Sequence, residues 1–170
     1  MNIVLIGYRG TGKSHVGTIL AKRYNRPLVS IDAEIVKSAG KSIPEIVAES
    51  GWPAFRDLET AEARKLAGCD HLVIDCGGGV IERPGNITIL QENGKVFWLR
   101  AEVATIVDRI ADDNQRPALV AGKTFTEEIA EVLEIRTPKY RAAAHYEIVT
   151  DGLTPEAVAA LIADLWEQAT

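Results

Sequence analysis

Apolar positions along the chain fall into short runs separated by longer stretches of mixed polarity. The first run, Ile3-Val4-Leu5-Ile6, is stopped by Gly7. A short apolar run of this kind, bounded by glycine, predicts a strand over Asn2–Ile6. Similar runs predict strands over Pro27–Ile31, His71–Asp75, Lys95–Leu99 and Tyr146–Val149. Between them the period lengthens. Val16, Ile19, Leu20 and Tyr24 share one face of a helix over Lys13–Tyr24. Ser42-Ile43-Pro44-Glu45 has the form of a capping box and predicts a helix to about Ser50. Trp52–Leu66 and Glu102–Ile110 are expected to be helical, and Thr126 to cap a helix through Arg136. Thr137-Pro138 reads as a fresh cap and first helical position, and Thr154-Pro155-Glu156 opens a last helix. Residues 111–124 are polar, contain Pro117 and Gly122, and show no clear period. Strands that are apolar on both faces and alternate with helices predict a parallel sheet covered on both sides.

The first strand and helix are joined by Gly7-Tyr8-Arg9-Gly10-Thr11-Gly12-Lys13-Ser14, which fits G-x-x-x-x-G-K-[ST]. Glycines let the backbone curl so that several N–H groups point at one anion. The helix N-terminus adds partial positive charge, the lysine reaches the β- and γ-phosphates, and the serine hydroxyl suits Mg²⁺. Gly10, Thr11, Gly12, Lys13, Ser14 and His15 are therefore expected at a nucleoside triphosphate. The loop does not identify the group that receives the phosphoryl.

Composition narrows the partners. The chain has 170 residues and a net charge of −5, which argues against nucleic acid as a ligand. Two cysteines, Cys69 and Cys76, make no disulfide framework. No apolar run is long enough to span a bilayer, and the start of the chain lacks a leader pattern. The expectation is a cytoplasmic protein without a membrane partner, built as a single unit over residues 1–170.

Further stretches bear on the acceptor. Asp32-Ala33-Glu34 puts two carboxylates past the second strand, where ligands of open α/β sheets bind. Asp32 can hold a Mg²⁺ water and Glu34 can take a proton from an attacking hydroxyl. Arg56 and Glu59 are a helical i, i+3 pair. Asp75 ends a strand that resembles a Walker B segment and can serve Mg²⁺. Gly77-Gly78-Gly79 exposes backbone N–H groups after the third strand. Arg116-Pro117 lies in the irregular stretch, where an arginine can close over a transferring phosphate. Arg136 can grip a carboxylate bidentately.

Taken in order, GYRGTGKS at 7–14, DAE at 32–34, FRDLE at 55–59, GGGV at 77–80, RPAL at 116–119 and RTPKY at 136–140 resemble the shikimate kinase family, nearly end to end. The resemblance implies a P-loop, nucleoside-monophosphate-kinase-like three-layer α/β sandwich. Its five-stranded parallel sheet would have the order 2-3-1-4-5. It implies ATP-dependent phosphorylation of the 3-hydroxyl of shikimate, in aromatic amino-acid synthesis, by a monomer that uses Mg²⁺.

Carried onto this sequence, Lys13 and Arg116 would neutralise the phosphoryl group, and Ser14 and Asp32 would organise Mg²⁺. Arg56 and Arg136 would hold the substrate carboxylate, and Glu34 with Gly77, Gly78 and Gly79 the rest of the substrate. Arg109 and Pro155 would frame the adenine. A substrate-binding part is implied at about 33–60 and a lid at about 112–124. Glu34 stands where the family pattern has a second aspartate, and Cys76 where it usually has a small hydroxyl residue. Two other readings stay open: a kinase of the same fold for another hydroxy acid, such as quinate or gluconate, and an ATP-binding module without turnover.

Overall fold

A computed structural model describes residues 1–110 and 124–170. The five predicted strands are present: β1 (Asn2–Ile6), β2 (Leu28–Ser30), β3 (Val73–Asp75), β4 (Gly94–Arg100) and β5 (Tyr146–Val149). They pair in parallel in the order β2-β3-β1-β4-β5. β1 is central. Its Leu5 aligns with Asp75 on one side and Phe97 on the other, so the ends of β1, β3 and β4 lie side by side.

The alternation along β1 builds both cores. Ile3 and Leu5 face α1 (Lys13–Tyr24) and α7 (Pro155–Ala169), where Val16, Leu20, Val158 and Ile162 close the layer. Val4 and Ile6 face the other way. There they meet α3 (Ile43–Ala67), α4 (Pro84–Glu92) and α6 (Phe125–Ala143) through Phe55, Leu90 and Tyr140. The result is the three-layer sandwich expected from a sheet apolar on both faces. A third, smaller cluster joins Tyr8 to Ile106 of α5 (Val103–Ile110) and to Ile129 and Val132 of α6.

The structure corrects several boundaries. β2 stops at Ser30, and Ile31 opens a helix, α2 (Ile31–Ala39), because the Ser30 hydroxyl accepts from Ala33 N–H as its cap. α4 has no counterpart in the hydrophobic period; Pro84 at its first position starts it. α3 carries both helices predicted on either side of residue 51, and the break between them is Gly51, at φ 81° and ψ 169°. The cap of α6 is Thr124, paired reciprocally with Glu127, and not Thr126.

The expected fresh start at Thr137-Pro138 does not occur, and α6 runs through the proline. An internal proline costs a helix about 3 kcal/mol. Contacts just beyond it offset the loss: Tyr140 stacks on Trp98 with ring centroids 5.7 Å apart, and its hydroxyl donates to the Gly78 carbonyl. The expected lid lies outside the described residues, apart from Thr124.

Candidate active site

The C-terminal ends of β1 and β3 open into a cavity of about 690 Å³. Its walls come from three places. Gly10, Thr11, Gly12, Lys13, Ser14 and His15 supply the phosphate loop. Asp32, Asp75, Cys76, Gly77 and Gly78 supply the second wall, and Arg109, Leu153 and Pro155 the third.

The loop is held from inside. Lys13 is buried, and its Nζ donates to the carbonyls of Gly7 at 2.8 Å and Tyr8 at 3.1 Å. α1 starts at this lysine. No side chain caps its N-terminus and no acid lies in its first turn. α2, α3, α6 and α7 each begin under a serine or threonine cap. The first N–H groups of α1 therefore remain for an anion.

Ser14 Oγ donates to Asp75 Oδ2 at 2.7 Å. Burial pushes the Asp75 carboxyl above its usual range and Asp32 nearby adds to this, while Lys13 and the Ser14 hydroxyl oppose it. Burial, with Asp75 beside it, holds the Cys76 thiol well above the ordinary thiol range, so Cys76 stays neutral. Ser14, Asp32 and Asp75 give a hydroxyl and two carboxylates lining the same cavity, and no cluster of three or more acidic, histidine or cysteine ligands exists among the described residues. Such a set suits Mg²⁺, which takes one or two carboxylates and fills its octahedron with phosphate oxygens and water.

On the nucleotide side, Arg109 Nη1 donates to the Gly10 carbonyl at 3.1 Å and to Thr150 Oγ1 at 3.3 Å. It thereby ties the phosphate loop to the turn after β5, which carries Leu153 and leads to Pro155. Asp151 in that turn accepts from Thr105 Oγ1 at 2.6 Å and from Glu102 N–H, fixing the start of α5.

On the acceptor side, the two candidate arginines converge on the glycine turn. Arg56 donates to Glu59 at 3.0 Å, and Glu59 is fully buried. The Arg56 guanidinium also lies over Trp52 at 5.1 Å and Phe55 at 5.5 Å. A Cβ on Gly79 would fall 2.2 Å from Arg56 Nη1, so only glycine admits the guanidinium there. A Cβ on Gly78 would lie 3.5 Å from Arg136 Nη1. Burial pushes the Tyr140 phenol to about 12, so it remains the donor to Gly78.

Glu34 is not brought to the cavity wall; its carboxylate lies 3.8 Å from Lys65 Nζ on α3. Arg116 lies outside the described residues. Arg9 was missed by the sequence reading. It lines the cavity, its backbone N would lie 3.6 Å from a Cβ on Gly78, and its guanidinium sits 5.7 Å from the Phe125 ring. It occupies a variable position of the loop motif, so only its sign hinted at a role.

A phosphate loop opening α1, acids at the ends of neighbouring strands and arginines around a glycine turn define a P-loop kinase of small molecules. Comparison with known proteins sharpens this. The shikimate kinase family model matches residues 9–166, and the chain belongs to that family. It is 37% identical over 158 residues to a shikimate kinase of Caldicellulosiruptor bescii, covering 93% of this chain and 91% of that one. It is 42% identical over 144 residues to a shikimate kinase of Pelotomaculum thermopropionicum, covering 85% and 83%. The structure superposes on the shikimate kinase of Acinetobacter baumannii in complex with shikimate with a TM-score of 0.94, at 33% identity, covering 99% and 94% of the two chains.

Proposed function

We infer that this chain transfers the γ-phosphoryl group of ATP to the 3-hydroxyl of shikimate. The observation that carries the reading is the convergence of Arg56 and Arg136 on Gly78 and Gly79, beside the phosphate-loop cavity. Two guanidiniums at a turn of backbone amides suit an acceptor with one carboxylate and several hydroxyls.

In this reading the acceptor oxygen forms a bond to the γ-phosphorus as the bond to the β,γ-bridging oxygen breaks, releasing ADP. Lys13 and the first amides of α1 stabilise the charge on the phosphoryl oxygens, together with Arg116. Arg56 and Arg136 fix the carboxylate, with Arg9 alongside, and so set the distance of the hydroxyl from the phosphorus. Glu34 takes the hydroxyl proton after leaving Lys65. Arg109, Leu153 and Pro155 form the adenine wall. Residues 33–60 are the acceptor-binding part of a single kinase unit. Ser14, Asp32 and Asp75 would hold Mg²⁺, which when bound neutralises phosphate charge.

The test is ADP release measured with Mg²⁺-ATP and shikimate, beside quinate, gluconate and no acceptor. Release with shikimate alone is expected. Release with another acid instead would move the acceptor and make Glu34 its determinant. ATP binding without release in any arm would leave a binding module.

A further inference from the structure

Arg136 is held on more than one side. Its side chain is only 8% exposed, and its Nε lies 3.4 Å from Glu82 Oε1. Glu82 ends a 3₁₀ turn, Val80–Glu82, that follows the three glycines directly. Its N–H donates to the Gly79 carbonyl at 3.0 Å, so its backbone is fixed to the glycine turn. The same Oε1 meets Lys139 Nζ at 3.4 Å, three residues along α6 from Arg136. Glu82 thus engages the guanidinium at Nε, while Nη1 lies beside Gly78.

Arginine grips a carboxylate best through two parallel N–H bonds, and a guanidinium already held beside a carboxylate by an ion pair loses less freedom in doing so. The local charge leaves a surplus. Arg136 and Lys139 carry two positive charges against the single negative charge of Glu82, which leaves one for an incoming anion.

We propose that Glu82 is a positioning residue for the acceptor carboxylate: it holds Arg136 by Nε so that the terminal nitrogens face the substrate across Gly78. It touches neither the phosphate nor the reacting hydroxyl. The inference rests on Arg136 contacting the acceptor carboxylate, as set out under the proposed function. Glu82 is 31% exposed and its pair with the buried Arg136 spans 3.4 Å, so exchanging its carboxylate for the isosteric amide is expected to act on substrate affinity more than on stability.

The experiment is steady-state kinetics with shikimate and with its methyl ester, on wild type, Glu82→Gln, Glu82→Asp, Arg136→Lys and the Glu82→Gln/Arg136→Lys double variant. Glu82→Gln is expected to raise KM for shikimate about tenfold, the size of coupling seen between contacting polar residues. The values of kcat, KM for ATP and the thermal midpoint stay within twofold or a degree or so of wild type. The ester, which lacks the anion, binds wild type and Glu82→Gln alike. The Gln change adds nothing on top of Arg136→Lys, and Glu82→Asp recovers part of the affinity.

An unchanged or lowered KM in Glu82→Gln, or an equal rise with the ester, overturns the proposal while leaving the kinase reading intact. A wild type that does not turn over shikimate overturns both.

Discussion

Gly79 is defined by a neighbour far away in sequence. The Arg56 guanidinium occupies the space where a Cβ would stand. Because that neighbour is the tip of a long side chain, Gly79→Ala should displace the arginine and spare the backbone. We expect KM for shikimate to rise roughly ten- to a hundredfold, the worth of a hydrogen bond to a charged group, with the melting temperature nearly unchanged. A large loss of stability with unchanged KM would assign Gly79 to folding alone. Glu34→Gln keeps the side-chain length and removes the proposed base. It should lower kcat by on the order of 10²–10⁴ with little effect on KM for ATP. A loss of only a few-fold would pass the proton to Asp32, the carboxylate of this pair that lines the cavity. At this scale the sequence was legible where chemistry is contiguous. Residues 7–14 announce a phosphate site because all its parts adjoin. That Arg56 meets Gly79, or that Glu34 meets Lys65, depends on how α3 packs against the glycine turn and against α2, and no local pattern encodes it.

Elements were legible where burial repeats with a clear period. β1 is buried along its whole length and was found to the residue. α2 escaped because its first residues continue the apolar run of β2, although Ser30 offered a cap. α6 was expected to end at Arg136 and a new helix to start at Thr137-Pro138 because local propensity weighs the missing N–H, whereas Tyr140 answers to Trp98 and Gly78. The junction of α6 and β5 holds a titratable element. Val96 N–H donates to His145 Nδ1 at 2.9 Å, so the neutral ring is the form that fits. Burial, and then the charge of Lys95, hold its pKa below the usual imidazole value. The unfolded chain therefore binds this proton more readily than the native one, and folding stability is lost as pH falls through about 6.5 toward the lower native value. His145→Asn, which keeps an acceptor but does not titrate, should flatten the fall in denaturation midpoint between pH 7.5 and 5.5. An identical slope in the variant would place the titration elsewhere.

At the level of the whole molecule, the sandwich followed from five apolar runs alternating with helices, and only the resemblance supplied the strand order. The cavity joins groups from both halves of the chain, so a bound nucleotide should stabilise the fold as one unit. At a hundred times its dissociation constant, Mg²⁺-ADP should add about 2.7 kcal/mol, read as a rise in melting temperature. EDTA should cut that rise, and Ser14→Ala should cut it in the same way. A rise indifferent to chelation would detach Ser14 and Asp75 from any metal.

The central place of β1 also has a consequence in time. Residues 7–14 are made early, but β1 gains both partners only when β4, residues 94–100, has been added. The wall formed by Leu153 and Pro155 arrives later still. At synthesis rates of about 5–20 residues per second, the loop waits on the order of ten seconds for the rest of its site. Until then the nascent chain holds a phosphate motif with no chamber around it, and nucleotide capture is expected only once synthesis has passed residue 155.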